Sequence, residues 1–461
     1  MQHADAAAYG LRYEYLNEDV PAQDRVAGRF APAAHYDAID CKSLPGMTCW
    51  SNWAPRLGVA YDVFANGKTA VKASFGKYMR AESSAFANLF NPVASFNESR
   101  NWSDPNGDGI AQDSEIAASN NPNFGKITSR SLDPNFRREY NLQYSAGIQH
   151  ELRPGVAINY YRFRRSLHDT QLTVNRAVDL SADWTSVPVV NPLDGETIQA
   201  YQINQNKASV APDLYVTNAS DENLRRNTFT GFELGMNARL PHRILMFGGW
   251  TMERTVDVDC TANTLNASAT TNNPNTLRFC DQSGQQLQNL GENAAIPYQH
   301  GFKLNANVPL VYGFEASTSL QSYPGAIKAT TGGVSWTVTR GSTRYPTDCA
   351  VPGCTPGAVV LPSRFASDPA VLLQLASPGT RYEPRWNQLD FGIRRNFRFN
   401  ATQLMLQFDL FNALNGNNVL TETTTLSTSV APYLSADPNA GGLPTSILQP
   451  RIIRLGAQLR F

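Results

Sequence analysis

Hydrophobic and polar residues alternate with period two along much of the chain, the spacing of a strand whose successive side chains point to opposite sides of a sheet. Tyr140, Leu142, Tyr144, Ala146 and Ile148 make one apolar row, interleaved with Asn141, Gln143, Ser145, Gly147 and Gln149. The pattern returns in Phe232, Leu234, Met236, Ala238 and Leu240, and in Leu404, Leu406, Phe408 and Leu410. Shorter copies are Leu57, Val59, Tyr61 and Val63; Phe302, Leu304, Ala306 and Val308; and Leu389, Phe391 and Ile393. Helical periodicity is nearly absent. Such segments predict twelve strands, at 9–16, 55–64, 68–80, 139–152, 156–164, 228–240, 243–252, 299–308, 312–321, 386–397, 402–412 and 451–461. Most are longer than the about five or six residues of a soluble sheet and suit a tilted strand crossing a bilayer.

The connections sharpen this reading. Five are short: 65–67, 153–155, 241–242, 309–311 and 398–401. Asn66-Gly67 is a strong hairpin signal, because both residues tolerate positive φ. Between the hairpins lie the long segments 17–54, 81–138, 165–227, 253–298, 322–385 and 413–450, so short and long connections alternate throughout. Loops of that size argue against a compact soluble domain. A transmembrane β-barrel accommodates them, with tight periplasmic turns on one rim and long extracellular loops on the other. The expected fold is all-β: an antiparallel transmembrane β-barrel with about 12 strands present, occupying 1–461 with no separate soluble domain. Tyr9, Tyr15, Phe64, Tyr78, Tyr160, Tyr161, Trp250, Tyr312 and Trp386 stand near strand ends, where a ring suits the lipid headgroup boundary.

Composition narrows the function classes. The 461 residues carry 39 basic and 39 acidic side chains, so the formal charge is zero, which excludes a basic nucleic-acid groove as the organising feature. No uncharged apolar run approaches the roughly 18 residues of a helical span. The opening MQHADAAAYG lacks a basic segment followed by an apolar one, so no signal peptide is expected within the chain. Cys41, Cys49, Cys260, Cys280, Cys349 and Cys354 form three local pairs by proximity alone, all in expected extracellular loops. Disulfides in an oxidising compartment are the expectation, with free thiols as the alternative.

One motif carries sharp local chemistry. Asp104-Pro105-Asn106-Gly107-Asp108-Gly109-Ile110-Ala111-Gln112-Asp113-Ser114-Glu115 matches the calcium-loop pattern D-x-[DN]-x-[DN]-G-x5-E. Calcium takes several hard oxygens: side chains of Asp104, Asn106 and Asp108, the Ile110 carbonyl, Gln112 directly or through water, and both oxygens of Glu115. No amphipathic helices flank the loop, and Ala111 stands where a larger apolar residue usually ties it down. Two readings stand at this point: a calcium ion that orders an extracellular loop without a catalytic role, or a solvated acidic turn in a long loop. No phosphate-cradling P-loop, zinc-protease motif or nucleophile elbow occurs, and no enzyme activity is expected. The polar strand positions Arg12, Glu14, Arg56, Asp62, Lys72, Glu233, Arg239, Lys303, Glu315, Asp390 and Arg394 should line the lumen, with both signs of charge mixed.

At the C-terminus Ile453, Leu455, Ala457, Leu459 and Phe461 alternate with Arg454, Gly456, Gln458 and Arg460, the form of terminal strand that barrel assembly machinery recognises. The segments 54–64 (Ala54-Pro55-Arg56-Leu57-Gly58-Val59-Ala60-Tyr61-Asp62-Val63-Phe64) and 67–78 (Gly67-Lys68-Thr69-Ala70-Val71-Lys72-Ala73-Ser74-Phe75-Gly76-Lys77-Tyr78) resemble TonB-dependent receptors of the Oar-like type. So do Phe408-Asp409-Leu410-Phe411-Asn412-Ala413-Leu414-Asn415 and Pro450-Arg451-Ile452-Ile453-Arg454-Leu455-Gly456. The resemblance covers most of the strands and leaves out the loops. It implies an outer-membrane barrel, usually of about 22 strands, filled by an N-terminal plug that contacts TonB for energy. The chain then reads as the C-terminal portion of such a receptor, taking up a scarce solute that the residues do not identify. A passive 12-stranded porin or adhesin and a secreted all-β carbohydrate-binding protein or hydrolase are the competing expectations.

Overall fold

The computed structural model describes residues 6–93, 99–118, 129–191, 196–204, 206–207, 210–219, 225–259, 274–278, 298–325, 335–339, 370–375, 383–423, 425–426 and 443–461. Twelve long strands form one sheet: β1 (Ala6–Asn17), β2 (Cys49–Asp62), β3 (Thr69–Met79), β4 (Tyr140–Arg153), β5 (Val156–His168), β6 (Arg225–Leu240), β7 (Ile244–Asp259), β8 (Gln299–Pro309), β9 (Phe314–Tyr323), β10 (Trp386–Phe399), β11 (Thr402–Phe411) and β12 (Ile452–Arg460). Each pairs antiparallel with its neighbours in chain order, leaving β1 and β12 as the two edges. All twelve expected strands are present. Several run further toward the long-loop rim than alternation indicated: β2 begins at Cys49, β5 ends at His168 and β7 at Asp259.

Cross-strand partners share a face, so register converts sequence alternation into two surfaces. One row runs Val71, Ile148, Tyr160, Leu234, Trp250 and Phe302 across β3 to β8, apolar at every position. The adjacent row on the other face reads Lys72, Gly147, Tyr161, Glu233 and Thr251. On that polar face Arg394 of β10 grips Glu315 of β9 through two parallel hydrogen bonds of 2.8 Å, and Lys72 donates to Gln149 at 2.9 Å. Gly147 gives the Tyr161 ring a flat seat, since a Cβ there would stand 2.2 Å from it. Register also corrects three of the aromatic assignments. Tyr78, Tyr161 and Trp386 lie on the polar face: Tyr78 under the Arg56 guanidinium at 4.6 Å, Trp386 against Tyr323 at 5.2 Å.

The hairpin after β2 shows how local chemistry closes a turn. Positive φ falls on Ala65 (55°) and Gly67 (71°), not on Asn66. The Asp62 carboxylate accepts the Gly67 N–H at 2.6 Å, and the Asn66 side chain accepts the Lys68 N–H at 3.0 Å. Asn66 therefore acts through its side-chain oxygen rather than through a left-handed backbone.

At the opposite rim the Phe-Asp-Leu-Phe-Asn segment of β11 holds the start of β12. Asp409 accepts from Arg454 of β12 at 2.9 Å and from Gln407. Asn412, buried and at φ 47°, donates its amide to the carbonyls of Gly416 and Gln449 and accepts the Gly416 N–H. Asn415 accepts the Arg451 N–H, and Arg451 donates to the Ala413 carbonyl. The feet of the last long loop are thus pinned together. Replacing Asn412 by Ala strands two carbonyls and should lower the unfolding free energy by about 1–3 kcal/mol, read as a shift in urea midpoint for detergent-refolded protein. An unchanged midpoint would mean that the pin does not contribute.

Candidate functional site

The long-loop rim is not a set of structureless loops. Segments from the first three long connections converge on one buried apolar cluster: Val20, Met47 and Trp50 from the first, Phe86, Ala87, Phe90, Leu132 and Phe136 from the second, and Val216 from the third. Four of its residues are aromatic, and their rings interlock, with Trp50 5.0 Å from Phe86 and Phe86 5.1 Å from Phe136. Aromatic pairs at such spacing add about 0.5–1.5 kcal/mol each beyond burial. The strand Asp213–Asn218 pairs with both Ser129–Leu132 and Gln171–Asn175, joining the second and third connections in one three-stranded sheet. Thr217 donates to the Asp133 carboxylate at 2.6 Å, and that bond, with the Asn135 N–H, holds the Asp133 carboxyl below the usual range.

Polar groups fasten this cap to the sheet. Arg138, whose side chain is 6% exposed, donates to Glu14 of β1 at 2.8 Å and to the Arg80 carbonyl at 2.8 Å. Arg80 reaches Glu139 at 3.1 Å and Glu82 at 3.3 Å. Burial pushes the Glu82 carboxyl up against the opposing pull of Arg80. A disulfide joins Cys41 to Cys49, as proximity suggested, with Cα atoms 5.8 Å apart. Cys49 is the first residue of β2 rather than a loop position. Cys260, Cys280, Cys349 and Cys354 lie outside the described residues.

The calcium-loop motif sits on the flank of this cap. Ligand oxygens of Asp104, Asp108 and Glu115 lie within 4.8 Å of one another. Asp104 accepts the N–H groups of Gly107, Asp108 and Gly109, which wraps the backbone around its carboxylate; Gly107 and Gly109 take φ of 74° and 70°. Glu115 folds back to accept from the Gln112 N–H and the Trp102 indole, both at 3.3 Å. Asn106 presents its amide nitrogen to Asp108 and Gln112, so cation binding requires that amide to rotate. Ile110 donates its N–H to Asp108, and its side chain is exposed. In place of flanking helices, a bridge between Trp102 and Ile116 closes the loop. Arg29 of the first connection clamps it from outside, bonding Asp113 and the Ala111 carbonyl. The cap core and the Arg138–Glu14 pair escape period-two reading. The signal present for them is the density of Trp and Phe in segments with no strand alternation.

A family model described as an outer membrane beta barrel domain matches residues 7–454. The chain belongs to this family. Its barrel therefore lies in the outer membrane, the apolar face is the lipid face, and the long loops are extracellular. No curated protein matches it in sequence. Among solved structures, the siderophore receptor PiuA from Acinetobacter baumannii is similar at 11% identity and TM-score 0.44, over 99% of this chain and 40% of that one. The ferric-catecholate import receptor Fiu from Escherichia coli gives 10% and 0.40, over 98% and 42%. The outer membrane transporter YddB from Escherichia coli gives 9% and 0.40, over 89% and 41%. The chain spans about two-fifths of the length of these proteins.

One extracellular hairpin of this barrel carries a titrating contact. His35 lies opposite Asp24, its Nδ1 2.6 Å from that carboxylate, with Asp37 at 3.5 Å from Nε2. The Asp24 hydrogen bond and charge raise the His35 pKa above 6.5, with Asp37 adding to them. The protonated ring's contribution to hairpin order is full below 6.5 and lost as pH rises through the raised value. An NMR titration should give a His35 midpoint above 6.5 that falls in Asp24→Asn; a midpoint at or below 6.5 in the parent would contradict the contact.

Proposed function

We propose that the chain is the transport barrel of a TonB-dependent receptor, binding a scarce solute at its extracellular loops and passing it to the periplasm. The plug and TonB coupling lie outside this chain. The observation that carries the reading is the open sheet: a passive barrel of twelve strands would pair β1 with β12, whereas among the described residues each has one strand partner. A wider barrel that encloses a plug accommodates both edges. The ordered cap supports capture at the mouth, since binding loops need a fixed shape to hold a dilute ligand. The polar wall, with Arg394–Glu315 and Arg454–Asp409 already paired, supports a lumen that meets a protein plug and water rather than lipid. Barrel assembly machinery takes hold at β12, where Leu455, Ala457 and Leu459 share the lipid face with Phe408, Leu406 and Leu404, and Phe461 is fully exposed just beyond. The reading frame encoding the chain should specify a plug-like domain and a TonB-contact segment upstream. A stop codon followed directly by a functional signal peptide would sink the proposal.

Calcium at the 104–115 loop belongs to the same reading, as an ordering ion that stiffens the flank of the cap. The converging Asp104, Asp108 and Glu115 oxygens and the backbone wrapped around Asp104 support it. Calorimetric titration of the whole chain with calcium should give a dissociation constant on the order of 10⁻⁴–10⁻³ M, the range of extracellular modules. Glu115→Gln should weaken binding at least about tenfold through loss of a bidentate ligand. No heat of binding at millimolar calcium would remove the ion from the account.

A further inference from the structure

The lipid face of β5 breaks the apolar pattern of its neighbours. Register sets Arg162 between Ala146 and Phe232, and Arg164 between Tyr144 and Thr230, all on the face that carries Leu234 and Trp250. Both arginines are exposed. They stand six and eight residues past Val156, the first residue after a periplasmic turn. At about 3.3 Å per residue and a tilt of about 40°, that is about 15 and 20 Å up an apolar band about 25 Å tall. Both therefore fall in its outer half, within reach of the headgroups for a side chain that snorkels.

Two further cations flank them on this face: Lys77 of β3 lies in the row of Leu142 and Ser166, and Arg254 of β7 is the cross-strand partner of Thr230, two strands from Arg164. Arg226 stands on the same face further up β6, opposite Val258. No Asp or Glu occupies a lipid-facing position on β3 to β7. Among the described residues none of Arg162, Arg164, Lys77 and Arg254 joins an ion pair with a carboxylate. Three of them meet aromatic rings instead: Lys77 over Tyr140 at 4.1 Å, Arg162 over Phe232 at 5.6 Å, Arg254 over Tyr298 at 4.7 Å. A ring face steers a cation and leaves its hydrogen-bond donors unused. The acids of this region, such as Glu233 and Glu253, are on the opposite face and cannot neutralise it.

The geometry points to a binding site for the phosphate groups of an anionic lipid of the outer leaflet, on the outer wall of β3 to β7 and centred on Arg162 and Arg164. Arginine matches phosphate with a planar fork of donors, and a charge on a lipid-facing wall is tolerated where a headgroup takes it up. Tyr144, Tyr160 and Phe232 beside the two arginines offer flat apolar surface to the acyl chains. The site belongs to the barrel wall and is independent of any transported solute.

The test uses the whole chain refolded in detergent micelles, with lipid adducts counted by native mass spectrometry. Bisphosphorylated lipid A should remain bound, with at least tenfold less retention of the dephosphorylated glycolipid and of phosphatidylcholine. R162Q/R164Q should lose the lipid A adduct at least tenfold, R162K/R164K should keep part of it, and K303Q, on the lumen face, should keep all of it. Equal retention of phosphorylated and dephosphorylated lipid by the parent protein overturns the proposal, whether or not the glutamine variant folds. Unchanged adducts in a folded R162Q/R164Q overturn it equally.

Discussion

A peptide group in hydrocarbon has no water to bond, so every backbone N–H and C=O within the bilayer must find its partner in the protein. That constraint organises the molecule. It explains why the membrane part is an unbroken antiparallel ladder in chain order, why each strand is long enough to cross, and why irregular backbone is kept to the two rims. It also gives the open edges of β1 and β12 their meaning, since each carries a row of backbone groups that lipid cannot satisfy. Side-chain chemistry is then divided by the pleat: the lipid face is predominantly apolar, with a few cations and hydroxyl side chains among its rows, and the lumen face carries most of the strand charges, some of them paired as in Arg394–Glu315 and Arg454–Asp409.

Alternation made the sheet legible from the amino acids because both faces of each strand meet a single solvent, lipid on one side and a wet interior on the other. Leu234 and Met236 alternate cleanly with Glu233 and Asn237 for that reason. The signal fails where the surroundings change. Residues 49–54 belong to β2, yet Trp50 is buried in the cap core and Ala54 is buried as well, so the row that should read polar carries apolar side chains on either side of Asn52 and the strand start is hidden. The rings of Tyr78 and Trp386 mislead in the same way, because an aromatic residue near a strand end suits a cation or a second ring in the lumen as well as it suits a headgroup.

The calcium motif is local, and its twelve positions were legible as a unit; its geometry brings Asp104, Asp108 and Glu115 together as the spacing requires. Its neighbours were not legible. Nothing in the spacing of Arg29 and Asp113, or of Glu14 and Arg138, announces that these residues meet, because contacts across tens of residues depend on how the loops pack. Arg162 and Arg164 were visible as charges in a strand, but their side of the sheet follows from register alone.

Trp50, Phe86, Phe136 and Val216 come from three different surface loops, yet they fill one volume. Exposed loops of outer-membrane proteins are where immune and phage pressure would favour rapid change. Here a substitution that enlarges or shrinks one of these side chains leaves a void or a clash in a volume shared with the other two loops, so a change in one constrains what the others can carry.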